Sequence, residues 1–137
     1  MIFSMQSTLR TFFIFLICFI FISFAYAEET AEPAKISYVE LKPSIVSNLT
    51  GGPKYIRCDI QLMTEHAAEV PDIKLHMPAI RHAILMLIAG EDGNLLKSHK
   101  GKEALRKKAL KAVQETLKGL AGNEMVKDLY FTAYYVR

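Results

Sequence analysis

Four histidines, at positions 66, 76, 82 and 99, are the residues through which this chain could hold a metal ion or move a proton. Two helical ligands reach one ion only when they share a face, three or four positions apart. His76 and His82 are six apart, which on a helix puts them on different faces. No HExxH stands in the sequence, no carboxylate cluster, and no cysteine besides Cys58 beyond the N-terminal block. His82, beside Arg81, reads as a helix-surface residue. A phosphate-cradling loop and a GxSxG elbow are also missing, and the serines, histidines and aspartates form no more than a chance set. These residues indicate a non-enzyme, with no cofactor and no metal.

Charge is the sharper chemical signal. The segment HKGKEALRKKALKAVQETLK carries Lys100, Lys102, Arg106, Lys107, Lys108, Lys111 and Lys118 against Glu103 and Glu115. Its ordinary reading is the solvated face of an amphipathic helix. Its functional reading is a contact surface for something acidic: a partner protein, a neighbouring subunit or anionic lipid headgroups. Insertion into a membrane surface is disfavoured, because the apolar stripe is small and aliphatic and is needed to close the domain.

The C-terminal YFTAYYVR offers a second surface signal. Strict alternation sets Tyr130 and Tyr134 opposite Phe131 and Tyr135, so both faces of the strand are aromatic. Either a partner covers the second face or the edge, or the tyrosines lie half buried with their hydroxyls in water.

The elements that must position these residues follow from periodicity. Ile36–Leu49 is rich in β-branched and aromatic residues but broken at Pro43, as in an edge strand with a bulge. TGGPK, residues 50–54, is a hairpin signal, and YIRCDIQLMTE then alternates with Ile56, Cys58, Ile60 and Leu62 on the buried face. Cys58 is therefore expected to be a buried small hydrophobe and not a reactive thiol. Ile73, Met77, Ile80, Ile84, Leu87 and Ile88 predict a helix, kinked or broken between residues 74 and 78 by Pro78. Gly90 ends it, and in the connection that follows Leu95 and Leu96 are expected to cover the core edge. The basic helix presents Leu105, Ala109, Ala112, Val113, Thr116, Leu117 and Leu120 as its apolar stripe, with Gly119 and Gly122 marking its end. Residues 125–137 form a last strand, with Leu129, Phe131, Ala133 and Tyr135 on one face, pairing with the hairpin. The expected fold class is α+β: a small antiparallel sheet of about three strands packed with two helices.

The N-terminus is of another kind. A 13-residue apolar block, Phe12–Phe24, follows Arg10 and precedes Ala25-Tyr26-Ala27, a small-x-small cleavage pattern. A helix of that length spans about 20 Å at ~1.5 Å per residue, against a hydrocarbon core of ~30 Å. Length and cleavage site favour a signal peptide, yet 17 residues from Thr11 to Ala27 reach the lower limit for a membrane anchor. Either way Arg10 stays on the cytoplasmic side and the rest is exported. Residues 28–35, EETAEPAK, read as a linker and 36–137 as one domain. From Glu28 onward 16 Lys and Arg face 14 Asp and Glu, a net of +2, which gives no general attraction to nucleic acid.

The ordered segments YVELKP with VSNL, GGPKYIRCDIQL, PAIRHAIL, GKEALRKKALKAVQETL and VKDLYFTAYYVR resemble the periplasmic domain of the FliL family of flagellar basal-body-associated proteins, over nearly all of residues 36–137. The resemblance implies a domain like the SPFH domain of stomatin, forming homo-oligomeric rings around the stator units. It implies no catalysis, and a role in torque, swimming or swarming, and flagellar rotation during chemotaxis. Family members place this domain on the periplasmic side of the inner membrane behind one transmembrane helix. The short N-terminus and the AYA site depart from that pattern, so a cleaved signal peptide and a single-pass anchor both stay open. A stomatin-like periplasmic scaffold unrelated to motility is the rival reading. For contacts with stator proteins or a neighbouring copy, the charge asymmetry singles out Lys107, Lys111 and Lys118, with Arg81 on the preceding helix.

Overall fold

The computed structural model describes residues 34–137, which pack as one compact unit. The signal peptide or anchor read over 1–27, and the linker as far as Pro33, lie outside these residues. Four strands and four α-helices follow in the order β1 (Ser37–Glu40), β2 (Ile45–Asn48), β3 (Tyr55–Thr64), α1 (Val70–Leu75), α2 (Met77–Ala89), α3 (Gly93–Leu96), α4 (His99–Ala121) and β4 (Asp128–Val136). A 3-10 turn, Ala67–Glu69, leads into α1.

The alternating strand β3 is the spine of the sheet. Ile56, Cys58, Ile60 and Leu62 are all fully buried, as their period of two requires, while Tyr55 and Arg57 face solvent. Along one edge of β3, β1 and β2 lie end to end, both antiparallel to it, with Val39 opposite Leu62 and Ile45 opposite Cys58. Between them residues 41–44 span the space of Asp59 and Ile60, and the Leu41 N–H still donates to the Ile60 carbonyl at 2.9 Å. The expected single edge strand is thus two short ones, because Pro43 has no N–H for the ladder. The hairpin at residues 50–54 joins β2 to β3 as expected, with Asn48 opposite Tyr55.

On the other edge β4 pairs with β3, and here the expected facing needs correction. Leu62 opposes Leu129 and Ile60 opposes Phe131, but Asp59 opposes Ala133. Thr132 is an inserted residue, a β-bulge that turns every later side chain over. Tyr134 and Val136 therefore join Leu129 and Phe131 on the inner face, against Cys58 and Ile56, while Ala133 and Tyr135 turn outward. The two rings on each face are Phe131 with Tyr134 and Tyr130 with Tyr135, not the pairs that strict alternation gives.

All helices cover the inner face. The break before α2 falls at His76, and Pro78 sits in the first turn of α2, where a missing N–H costs nothing. Ile73, Ile80, Ile84 and Ile88 are fully buried from this side, and Leu105, Ala109, Val113 and Leu117 from α4. Spacing of four along α4 keeps these side chains on one stripe. Each such Ile or Leu contributes about 1.5–3 kcal/mol on leaving water. Three expectations differ: Leu120, placed on the apolar stripe, is exposed; Gly119, read with Gly122 as marking the helix end, lies inside the helix; and Leu95 is 62% exposed while Leu96 is buried at the core edge. The α4 helix ends at Gly122, whose φ of 78° is the left-handed conformation that glycine adopts without strain. The result is the α+β class, an antiparallel sheet with its helices on one side.

Candidate partner-binding surface

The start of α4 is set by Ser98, whose Oγ accepts from the Gly101 N–H at 2.9 Å and donates to the Leu95 carbonyl at 2.8 Å. That cap satisfies an orphan amide of the first turn and fixes which face of the following 23 residues meets the sheet. With Leu105, Ala109, Val113 and Leu117 buried, the opposite side presents Lys100, Ala104, Lys107, Lys108, Lys111, Glu115 and Lys118 to solvent.

The structure sorts these cations by partner. Arg106 turns inward: its Nε and Nη2 donate to the Glu103 carboxylate at 2.7–3.0 Å, and Nη1 reaches Asp128 and the Leu129 carbonyl. Lys102 lies 5.0 Å over the Tyr134 ring, a cation–π contact. Lys108 pairs at 2.7 Å with Glu91, a residue between α2 and α3. Lys111 and Lys118 make loose exposed pairs with Glu115 and Glu124, both at 3.7 Å, which hold little energy. Lys100 and Lys107 have no carboxylate partner among the described residues.

Of the four residues singled out by sequence, Lys107, Lys111 and Lys118 thus share one solvent-facing stripe. Spacings of four and seven bring them within about 40° of each other around the axis. Arg81 does not join them. It stands on α2, half buried, and its Nη1 donates to the Pro43 carbonyl, tying α2 to the loop between β1 and β2. A cavity of about 550 Å³ opens beside it, lined by Lys42, Pro43, Met77, Pro78, Arg81, His82 and Leu85.

The histidines are dispersed. His66 precedes the 3-10 turn, His76 separates α1 from α2, His82 is exposed on α2 and His99 begins α4. Among the described residues no three His, Cys, Asp or Glu side chains gather as a metal site would need.

A family model described as flagellar basal body-associated protein FliL matches residues 38–136. The chain belongs to the FliL family. The match runs from Tyr38 in β1 to Val136, the last residue of β4, so the family unit and the sheet-and-helix fold coincide. Membership associates the chain with the flagellar basal body. No curated protein matches the chain by sequence.

Within this FliL fold the titrating groups mark joints. Burial works to raise the Asp128 carboxyl, but the Leu129 N–H, the Tyr130 hydroxyl and the Arg106 guanidinium outweigh it and hold Asp128 below its ordinary value. Glu103 is also lowered, chiefly by the hydrogen bond from Arg106, whose own pKa is raised by the same bond. Tyr134 is pushed up to about 12, first by burial and then by Cys58 and Glu91, and its hydroxyl donates to the Leu96 carbonyl at 2.9 Å. Burial, with Asp59 alongside, pushes the Cys58 thiol up to about 12, the state of an inert core cysteine. The pairs Arg106–Asp128 and Tyr134–Leu96 were not visible in sequence, since they join positions 22 and 38 apart. Among the described residues no helix is long and apolar enough to cross a membrane.

Proposed function

We propose that this FliL-family chain is a non-enzymatic accessory of the flagellar basal body, which associates with copies of itself and with the stator proteins on the periplasmic side of the inner membrane. In that position it supports motor torque and rotation, swimming or swarming, and chemotaxis. Its N-terminal segment acts there as a single-pass anchor or as a cleaved signal peptide. The single observation that carries the proposal is the family match across the entire fold, residues 38–136. The stripe of Lys107, Lys111 and Lys118 supports it as a contact for an acidic surface on a partner.

The experiment is the position of a C-terminal fusion to a fluorescent protein that folds after export, in cells with and without their stator proteins, once the tag is shown to leave swimming intact. Foci at flagellar bases that disperse without stators are the expected result. A diffuse periplasmic signal in both strains would overturn the motor reading in favour of a stomatin-like scaffold unrelated to motility.

A further inference from the structure

Two arginines among the described residues are half buried, Arg81 and Arg106, and they are not equally served. Arg106 has a full set of acceptors. Its Nε and Nη2, the N–H groups that lie parallel along one edge of the guanidinium, grip the Glu103 carboxylate at 2.7–3.0 Å, while Nη1 turns to Asp128 and the Leu129 carbonyl. Arg81 repeats only the second half of this arrangement. Its Nη1 donates to the Pro43 carbonyl, whereas its Nε and Nη2 edge meets no acceptor and its charge meets no carboxylate among the described residues. A charge withdrawn from water is costly until an opposite charge joins it, and the partner that fits a guanidinium edge is a planar carboxylate.

Arg81 lines the cavity of about 550 Å³ between the β1–β2 loop and α2, a volume within the range of small-ligand sites. Lys42 and His82 are the other basic side chains of its wall, no carboxylate lines it, and Pro43, Met77, Pro78 and Leu85 make the rest apolar. Lys42 already holds Glu40 at 3.0 Å, so the guanidinium of Arg81 is the cation left to pair. Met77 and Leu85 are half buried against the core, which fixes the apolar wall to the fold. The bond to Pro43 likewise fixes the guanidinium before any ligand arrives, which lowers the cost of binding. One unpaired cation matches a singly charged anion, whereas a phosphate carries close to two charges and calls for more donors than this wall offers.

We propose that this cavity is a binding site for a small aliphatic carboxylate, which lays its carboxylate across the Nε and Nη2 edge of Arg81 and its chain on Met77, Pro78 and Leu85. Bound there, the ligand gives Arg81 what Glu103 gives Arg106. It also adds a second tie between α2 and residues 41–44, where the sheet edge is interrupted. The site stands apart from the α4 stripe, which Arg81 does not join, so it goes beyond the partner contacts proposed above and its failure would leave them standing.

The test titrates residues 34–137, a compact unit with its own closed core, with hexanoate, with its uncharged counterpart hexanamide and with hexyl phosphate, all at constant ionic strength. Nuclear magnetic resonance follows the Arg81 Nε–H and the methyl groups of Met77 and Leu85. Hexanoate should move these signals along one saturable curve, and hexanamide should bind about tenfold more weakly or worse, since it forfeits a charge-assisted hydrogen bond. Arg81→Lys keeps the charge but loses the fork, and should weaken hexanoate by about tenfold. Because that change also removes the bond to Pro43, His82→Glu is the second variant. It leaves Arg81 in place, lies at an exposed position and sets a carboxylate beside the cavity, so it should weaken hexanoate while the thermal melt stays at that of the parent. Hexanamide that binds as tightly as hexanoate would reduce the cavity to an apolar dent and overturn the proposal. So would a hexanoate curve unchanged in either folded variant, or no saturable movement of the Arg81 signal at millimolar concentration. Hexyl phosphate that binds more tightly than hexanoate would give the site to a phosphate and overturn the carboxylate.

Discussion

Arg106 and Asp128, 22 positions apart, join the first half of α4 to the first residue of β4. The same guanidinium holds Glu103 one turn back, so one side chain fixes how the long helix lies against the edge strand. Asp128 is held below its usual value of 3.8 in the folded chain, so it favours the native state wherever it is ionised. That contribution is complete above 3.8 and is lost as pH falls through the lowered folded value. Asp128→Asn should therefore cost about 1 kcal/mol at neutral pH, within the range for a charge-assisted hydrogen bond in a partly exposed site. Urea titrations at pH 7 and pH 3 should show the gap between variant and parent closing in acid. A gap that stays constant would mean the carboxylate charge does not contribute.

Two glycines of α4 should respond in opposite directions to the same added methyl group. A Cβ at Gly101 would stand 1.9 Å from the Leu95 carbonyl oxygen, a backbone atom that cannot swing aside. Gly101→Ala should cost more than about 2 kcal/mol, because the cap at Ser98 must open to admit it. At Gly119 a Cβ meets nothing within 4 Å and the backbone is helical. Gly119→Ala should stabilise by about 0.5–1 kcal/mol, the helix-propensity difference. Thermal melts of the two variants should move to either side of the parent.

The sequence made β3, α2 and α4 legible because each carries its own periodicity. Ile56 to Leu62 repeats every two residues, and Leu105 to Leu117 every four, and nothing interrupts either run. β4 was misread in its second half because Thr132 looks like an ordinary strand residue. The bulge exists only as a register shift against Asp59 and Ile60, a relation to another strand that one segment cannot show. The basic stripe was visible from composition, but its division was not. Lys108 is engaged by Glu91, 17 positions away, while Lys107 beside it has no partner among the described residues. The outer aromatic face was half visible: Tyr130 was placed correctly, and Tyr135 replaced Tyr134 on it once the bulge was crossed.

The exchange of Tyr134 for Tyr135 on the inner face can be measured through the phenol that went inside. Tyr134 donates to the Leu96 carbonyl, and its pKa is raised from 10.0 to about 12 by burial first. A group whose folded pKa is raised stabilises the native state fully below its unfolded value and loses that contribution as pH rises through the folded value. Tyr134→Phe should cost about 0.5–1.5 kcal/mol at pH 7, the net worth of a hydrogen bond. The difference should shrink between pH 10 and pH 12. Ultraviolet titration of the parent should show one phenol ionising near 12 that the variant lacks. Tyr135→Phe, on the exposed side, should change stability by less than about 0.5 kcal/mol.

Lys107 and Lys108 are neighbours in sequence with different tasks, and that difference tests the contact surface directly. Lys108 is tied to Glu91, whose side chain is only 14% exposed, so Lys108→Ala should cost about 0.5–1 kcal/mol of stability and leave recruitment to the basal body unchanged. Lys107→Glu combined with Lys111→Glu removes no strong internal contact, since Lys111 meets Glu115 only at 3.7 Å and both side chains are more than half exposed. The reversed pair should therefore fold within about 0.5 kcal/mol of the parent, apart from a small like-charge term with Glu115. If the stripe meets an acidic surface on the stator, the same pair should lose basal-body foci and slow swimming, because like charges now face each other across the contact. The charge pattern makes the effect specific: restoring Lys107 alone should recover part of the recruitment, whereas stabilising Gly119→Ala should recover none. Foci and swimming that survive the double reversal in a stably folded chain would return the stripe to an ordinary solvated helix face.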